Sequence, residues 1–166
     1  QLRILSLGCA SGEEAYSLAM LVPDTLANPA WNVSIVGVDV NSAMIEKARR
    51  GRFSAWALRE TPEHDRRRWF RAEGGDFVLD EGLRASVRFE EGNLVEDDPR
   101  FWQQGTWDVV FCRNVVMYFA PDQGRAVIDR IARALSPDGY LFLGHAETLR
   151  GISNDFYLRH THGTFY

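Results

Sequence analysis

The chain carries few of the residues from which metal, disulfide or hydrolytic chemistry is built. Its two cysteines, Cys9 and Cys112, both close apolar runs that read as strands, which predicts reduced, buried thiols and no disulfide. No H-E-x-x-H, paired C-x-x-C or other ligand spacing is present, so no metal site is expected. A G-x-S-x-G elbow is missing too, and with it any readable nucleophile–base pairing. His64, His145, His160 and His162 are scattered. The last two would share one face of a strand, but two imidazoles make a poor metal site, and structural or surface roles are expected for all four. No apolar run is long enough to span a membrane and nothing resembles a signal peptide, so no direct membrane insertion is expected. A net charge of −4 gives no reason to expect nucleic acid as a partner. Internal repeats and low-complexity tracts are absent as well. What is left, 166 residues of which 45% are hydrophobic, suffices for one domain with a substantial core. The first strand starts directly after Gln1, which predicts a fragment of a longer chain.

The stretch Leu2–Leu21, LRILSLGCASGEEAYSLAML, organises the rest. Ile4, Leu5 and Leu7 give the nearly continuous apolar run of a strand buried on both faces. Gly8-Cys9-Ala10-Ser11-Gly12 then forms a small-residue turn whose backbone N–H groups can approach a ligand. A helix follows with Ala15, Leu18, Ala19 and Val22 on one face. This is the outline of a nucleotide-binding corner, though G-x-x-x-G by itself is a weak signal. Glu13-Glu14 is more informative. A helix N-terminus attracts anions, and two carboxylates there would repel a pyrophosphate, which counts against NAD, FAD and ATP. They suit a ligand presenting an ammonium group, as the methionine end of S-adenosylmethionine does. The same pair also serves as good first-turn residues for the helix dipole, and this stretch alone leaves both readings open.

Along the chain, Val33–Val38 is a second buried strand, ending at Asp39, where an acid accepts hydrogen bonds from ribose hydroxyls in dinucleotide folds. Asn41-Ser42 is an N-cap for a helix from about Ala43 to Arg50, stopped by Gly51. Pro62–Phe70 is expected to be helical. Its basic run of Arg66, Arg67 and Arg68, with Arg71 just beyond, is a solvated face or, as a minority reading, a dock for an acidic partner. Asp76–Asp80 and Leu83–Phe89 read as a pair of strands around Glu81-Gly82, an insertion at the edge of the core; Phe89 also ends what should be another core strand, with Glu91-Gly92-Asn93-Leu94 following as a loop. Trp107–Cys112 is the next buried strand and runs into Arg113-Asn114, a polar pair on the ligand-binding edge of a parallel sheet. A helix opened by Pro121 has Val127, Ile128, Ile131, Ala132 and Leu135 on its face and stops at Ser136-Pro137-Asp138-Gly139. Tyr140–Leu143 is a further strand, and Phe156–Tyr166 a closing hairpin. Alternating strands and helices predict an α/β fold with a largely parallel sheet and an antiparallel end.

The poverty of catalytic side chains fits methyl transfer from a sulfonium, in which the cofactor carries the activation. A carboxylate acceptor with a pKa of about 4.3 is already ionised at neutral pH, so no general base is required. Tyr118 stands beside Arg113-Asn114 and would stabilise a sulfonium and orient its methyl; within VVMYF it also reads as a core aromatic.

The series SLGCASGEEAYSLAM, IVGVDVNSAMIEKARRGRF, VRFEEGNL, WDVVFCRNVVMYF and LSPDGYLFLGHAETL resembles the CheR-type chemotaxis receptor methyltransferases over nearly the whole chain, and CRNVVMYF with GEEAYSLAM is a specific signature. The resemblance implies a class I methyltransferase fold, Rossmann-like and mostly parallel with an antiparallel closing hairpin, and a small β-subdomain inserted at about 74–89. It implies S-adenosylmethionine as cofactor and, as reaction, methyl esterification of glutamate side chains on the cytoplasmic helices of chemoreceptors, in the cytoplasm. By position, Gly8, Cys9 and Ala10 belong to the cofactor loop. Glu14 would take the methionine amino group with Glu13 beside it, Asp39 the ribose, and Asn93 and Leu94 the adenine. Arg113 and Asn114 would border the methionine end, and Tyr118 and Arg113 are the residues implied at the reacting methyl. The short hairpin resembles that of members independent of a receptor C-terminal peptide. Two departures stand out. The family's N-terminal helical domain, whose linker supplies a cofactor-contacting arginine, has no counterpart here. Ala120 also replaces the aspartate that usually precedes the proline, removing an N-cap worth roughly 0.5–2 kcal/mol. The competing readings are a non-catalytic cofactor-binding or scaffold domain of a signalling protein, and a methyltransferase acting on a small molecule.

Overall fold

Five strands form one all-parallel sheet, each joined to the next by a crossover, and the inner three are largely apolar on both sides. The computed structural model describes residues 1–26, 28, 30–161 and 164–165, the side chains of 161, 164 and 165 excepted. The elements are β1 (Leu2–Leu7), α1 (Glu13–Thr25), β2 (Val33–Asp39), α2 (Ser42–Arg50), β3 (Arg52–Phe53), α3 (Glu63–Trp69), β4 (Phe70–Glu73) and β5 (Asp76–Leu79). They continue with α4 (Glu81–Ala85), β6 (Val87–Glu91), α5 (Pro99–Trp102), β7 (Trp107–Cys112), α6 (Pro121–Ala134), β8 (Leu135–Leu143), β9 (His160–Thr161) and β10 (Thr164–Phe165). The central order is β6-β2-β1-β7-β8. The chain moves outward from β1 through β2 to β6, then crosses back to β7 on the other side of β1. That reversal opens a crevice at the carboxyl ends of β1 and β7, where open α/β sheets bind ligands.

Strand alternation divides the core in two. Ile4 and Ile35 face α1 and α2 with Ala15, Tyr16, Ala19, Ile45 and Ala48. Leu5, Leu7, Val36 and Val38 face the other way, onto Val127, Ile128 and Ile131 of α6. Tyr16, outside the predicted apolar face of α1, is fully buried. Its ring meets Phe89 edge-on at 5.2 Å, and its hydroxyl donates to the Ala48 carbonyl at 2.8 Å, so the polar tip is satisfied within the core. The Asn41 side chain caps α2 by accepting from the Ala43 and Met44 amides, and Gly51 closes it in the left-handed conformation. Ala120 stands at the N-cap of α6 with no side-chain cap.

The strand pair expected around Glu81-Gly82 does not form. Gly74 and Gly75, both at positive φ, make the hairpin turn instead and join β4 to β5, which also pairs with β3 in a separate three-stranded antiparallel sheet. Asp80 accepts from the Leu83 amide and so starts a helix, α4, where a turn was expected. Val87–Glu91 belongs to the central sheet, parallel to β2. The small sheet therefore lies within residues 52–79, not 74–89. The Ser136-Pro137-Asp138-Gly139 turn is also recast. Trp107 pairs with Leu135 and Val109 with Tyr140, so these four residues bulge from β8 opposite Asp108. Of the expected closing hairpin, β9 and β10 pair antiparallel with each other, and His162 lies outside the described residues. The arginine run is largely answered from within. Arg66 and Arg67 pair with Glu63, Arg68 with Asp24 and Arg71 with Glu73.

Beneath the crevice, Arg3 ties β1 to β7. Its backbone amide and both arms of its guanidinium donate to the Asp108 carboxylate at 2.8–3.1 Å, and Ser136 adds a hydroxyl at 3.0 Å. Hydrogen bonds from Arg3 hold the Asp108 carboxyl down at about 2. Because the folded value lies below the unfolded one of about 3.9, the stabilisation is complete above that value and disappears as pH falls through about 2. Asp108→Asn is expected to cost about 2 kcal/mol at neutral pH. It should also flatten the acid limb of a stability–pH curve between about pH 4 and 2, measured by urea unfolding.

Candidate functional site at the carboxyl edge of the sheet

Four loops converge on the crevice. After β1, the chain turns through Gly8, Ala10 and Gly12, all at positive φ (65°, 47° and 90°). Gly8 has no room for a side chain: a Cβ there would lie 2.5 Å from Val115 Cγ2. Three amides of this turn are spent inside the protein. Cys9 N–H donates to the Val38 carbonyl at 3.0 Å, Ala10 N–H to Asp39 Oδ2 at 2.9 Å, and Gly12 N–H to the Cys9 carbonyl at 2.9 Å. A phosphate-binding loop aims such groups at its ligand. Here the turn instead fixes a carboxylate.

That carboxylate, Asp39, is held at both oxygens, Oδ2 by Ala10 and Oδ1 by the Asn41 amide at 2.9 Å. Each oxygen keeps a second lone-pair direction for an incoming hydroxyl. Glu14 is held in a similar way from the first turn of α1. The Ser6 hydroxyl donates to its Oε1 at 2.9 Å and Arg113 Nη1 to its Oε2 at 3.1 Å. Ser6 is fully buried on the α1 side of β1, so its hydroxyl fixes the carboxylate from below while Arg113 reaches it from the end of β7. Two of the four acceptor positions of Glu14 are thus taken and two are free for a cationic donor. Glu13 differs: both of its oxygens accept from the Ser11 hydroxyl, at 2.7 and 3.0 Å, within the turn.

The structure thus joins Ala10 to Asp39 and Glu14 to Arg113. Asn93 and Leu94 follow β6 on the same edge. Leu94 is buried in the core beneath, and Asn93 bonds to Glu96 and to the Val95 amide. Asn114, at φ 57°, starts the loop to α6. Tyr118 lies on a short 3₁₀ turn (Val116–Tyr118) and is 81% exposed, which removes the core reading of its ring. Burial pushes the Cys9 and Cys112 thiols up to about 12, with the Asp39 and Glu147 carboxylates adding to it respectively. Both thiols are therefore protonated at neutral pH and inert as nucleophiles.

Sequence reasoning passed over two polar residues that build this edge. Ser6 was one polar residue in an apolar strand. Glu147, just past β8, accepts four backbone amides: Asn114 at 2.6 Å, Val115 at 3.0 Å, Met117 at 3.3 Å and Gly144 at 2.9 Å. Only its place in GHAETL offered a signal.

A parallel sheet of this order, with an acidic β2 end, a carboxylate in the first turn of α1 and a turn that bonds three of its amides within the protein, defines a class I methyltransferase nucleotide corner. Residues 1–165 match the model of the CheR methyltransferase SAM-binding domain, and the chain belongs to that family. It is 33% identical over 160 residues to the chemotaxis protein methyltransferase of Vibrio parahaemolyticus, covering 93% of this chain and 57% of that protein. It is 34% identical over 162 residues to chemotaxis protein methyltransferase 1 of Pseudomonas aeruginosa, covering 94% and 58%. The chain thus spans little more than half the length of these curated relatives. Among solved structures, an arsenic(III) S-adenosylmethionine methyltransferase of Chlamydomonas reinhardtii superposes with a TM-score of 0.55 at 25% identity, over 86% of this chain and 38% of that one. The cofactor of this domain family, S-adenosylmethionine, carries an ammonium group and ribose hydroxyls, and a crevice lined by two carboxylates with open acceptor positions, Glu14 and Asp39, fits such a group.

Proposed function

We propose that this chain is the catalytic domain of a protein-glutamate O-methyltransferase acting on the cytoplasmic helices of chemoreceptors, in the cytoplasm. The observation that carries the reading is the pair of pre-oriented carboxylates, Glu14 and Asp39, beside a turn whose Cys9, Ala10 and Gly12 amides are already bonded within the protein. The names of the relatives support chemotaxis as the setting. No helix among the described residues is long and apolar enough to cross a membrane, which is compatible with that location.

When bound, S-adenosylmethionine supplies a methyl group already activated on a sulfonium. The protein's part is binding, orientation and exclusion of water. Glu14 receives the ammonium, with Glu13 beside it; Asp39 receives the ribose hydroxyls; Asn93 and Leu94 flank the adenine. Gly8, Cys9 and Ala10 shape the wall, and Arg113 and Asn114 border the methionine end. Tyr118, free of the core, covers the sulfonium and orients the methyl. No proton moves, because the acceptor glutamate, with a pKa of about 4.3, is ionised at neutral pH.

The domain is further proposed to act without gripping a receptor C-terminal peptide. Its small sheet has edge strands of two and four residues, and β4 carries Arg71 and Glu73, ion-paired to each other; short, charged edges resist strand addition. Transfer of a labelled methyl group to isolated receptor helices is expected, with the label released by mild base. A base-stable product would assign the methyl to an amine or hydroxyl and overturn the glutamyl-ester reading.

A further inference from the structure

We infer that Glu147 is the positioning residue of this site: its carboxylate sets the β7–α6 loop that carries Arg113, Asn114 and Tyr118. The inference rests on the cofactor reading above, which says what that loop borders. Val115, Val116 and Phe119 pack the loop on the core, but its backbone before the 3₁₀ turn is irregular. Asn114 is left-handed, and the 3₁₀ turn that follows has no side-chain cap. The three amides at Asn114, Val115 and Met117 point to one place, where Glu147 receives them. Three amides converging in this way make an anion-binding concavity, and an internal carboxylate fills it.

The same carboxylate also accepts from Gly144 at the end of β8, so it ties the carboxyl ends of β7 and β8 together. The fit is close on the far side as well. A Cβ at Gly144 would lie 2.8 Å from Glu147 Oε2 and 2.9 Å from the Asn114 amide nitrogen. The consequence reaches the cofactor corner through the chain. Asn114 follows directly on Arg113, whose guanidinium holds Glu14, and Val115 abuts Gly8. Glu147 therefore aligns both walls of the crevice without needing to touch the ligand.

Glu147→Gln keeps the shape but offers one acceptor oxygen and an NH₂ that opposes the loop amides. Without any ligand, amide hydrogen exchange over residues 113–118 is expected to rise on the order of tenfold or more, with β1 unchanged as internal control, since charge-assisted bonds of this kind are the strong ones. Affinity for S-adenosylhomocysteine, by calorimetry, is expected to fall roughly tenfold. Gly144→Ala, which intrudes on the same carboxylate from the other side, should reproduce both effects, and Glu147→Asp should restore part of each. Unchanged exchange over 113–118 in both Glu147→Gln and Gly144→Ala would overturn the clamp. Faster exchange with unchanged affinity and unchanged methyl transfer would overturn its positioning role. If Glu14→Gln also leaves affinity untouched, the cofactor reading is what fails, and the exchange data still decide the clamp.

Discussion

Glu14→Gln is expected to weaken S-adenosylhomocysteine binding roughly 10- to 100-fold while moving the melting temperature by only a few degrees. The two effects separate because the residue has two kinds of partner. Within the protein, Glu14 accepts from the buried Ser6 hydroxyl and from Arg113, whose side chain is 48% exposed. A pair open to solvent on one side is worth about 0–1 kcal/mol, and the glutamine oxygen can still accept from Ser6. Toward the ligand, the change removes a carboxylate that Ser6 and Arg113 orient and that keeps two acceptor positions open, whereas the Glu13 carboxylate is turned back onto Ser11 within the turn. It also turns an NH₂ group toward a cation. Losing a charge-assisted hydrogen bond costs about 1.5–3 kcal/mol, which sets the range of affinities. Calorimetric titration alongside thermal unfolding reads both quantities. Glu13→Ala, by contrast, should lower affinity by no more than about threefold, within the value of an exposed charge near a helix N-terminus. Equal losses for Glu13 and Glu14 would reduce both to generic first-turn charges and remove the ammonium site.

How far the sequence foretold this arrangement depended on the reach of each interaction. The glycine turn, the acid ending β2, the Asn41 cap and the strand Trp107–Cys112 are written in contiguous residues, and each stands where its local chemistry requires. Strand partners are not local. Asp76–Leu79 and Val87–Glu91 both read as strands in part, but a short polar link between them suggested a hairpin. The capping geometry of Asp80 and the positive φ of Gly74 and Gly75 sent one to the small sheet and the other to the central one. The arginine run read as a solvated face, and pairing with Glu63, Asp24 and Glu73 fills that face with internal ion pairs, one of them spanning 44 residues. Glu147 was hidden for the same reason: its three loop partners lie 30–33 residues earlier, and no periodicity links a glutamate after one strand to amides after another. The carboxylates of the proposed cofactor site were legible; the residues that aim the loops around them were not.

Gly8→Ala should be the most damaging single methyl added to this site, costing about 3 kcal/mol of stability. Two independent penalties meet at one atom. At φ 65° an alanine sits in the left-handed region, at about 1–2 kcal/mol. Its Cβ would also stand 2.5 Å from Val115 Cγ2, and overpacking of this kind typically costs 1–3 kcal/mol. Val115 cannot simply withdraw, because it packs on the core of the α6 face and its amide is held by Glu147 at 3.0 Å. For a domain of this size the melting temperature should fall by roughly 6–12 °C, and ligand affinity should fall as the β7–α6 loop is pushed out of register. The double variant Gly8→Ala/Val115→Ala separates the two penalties. Removing the opposing methyl relieves the clash but not the dihedral, so the double variant should lose less than the sum of the singles by at least about 1 kcal/mol, and its ligand affinity should recover toward that of Val115→Ala alone. Strict additivity in stability would leave the backbone conformation as the whole reason for glycine at this position. A restored affinity would make Val115 the contact through which the turn after β1 and the loop after β7 keep their spacing.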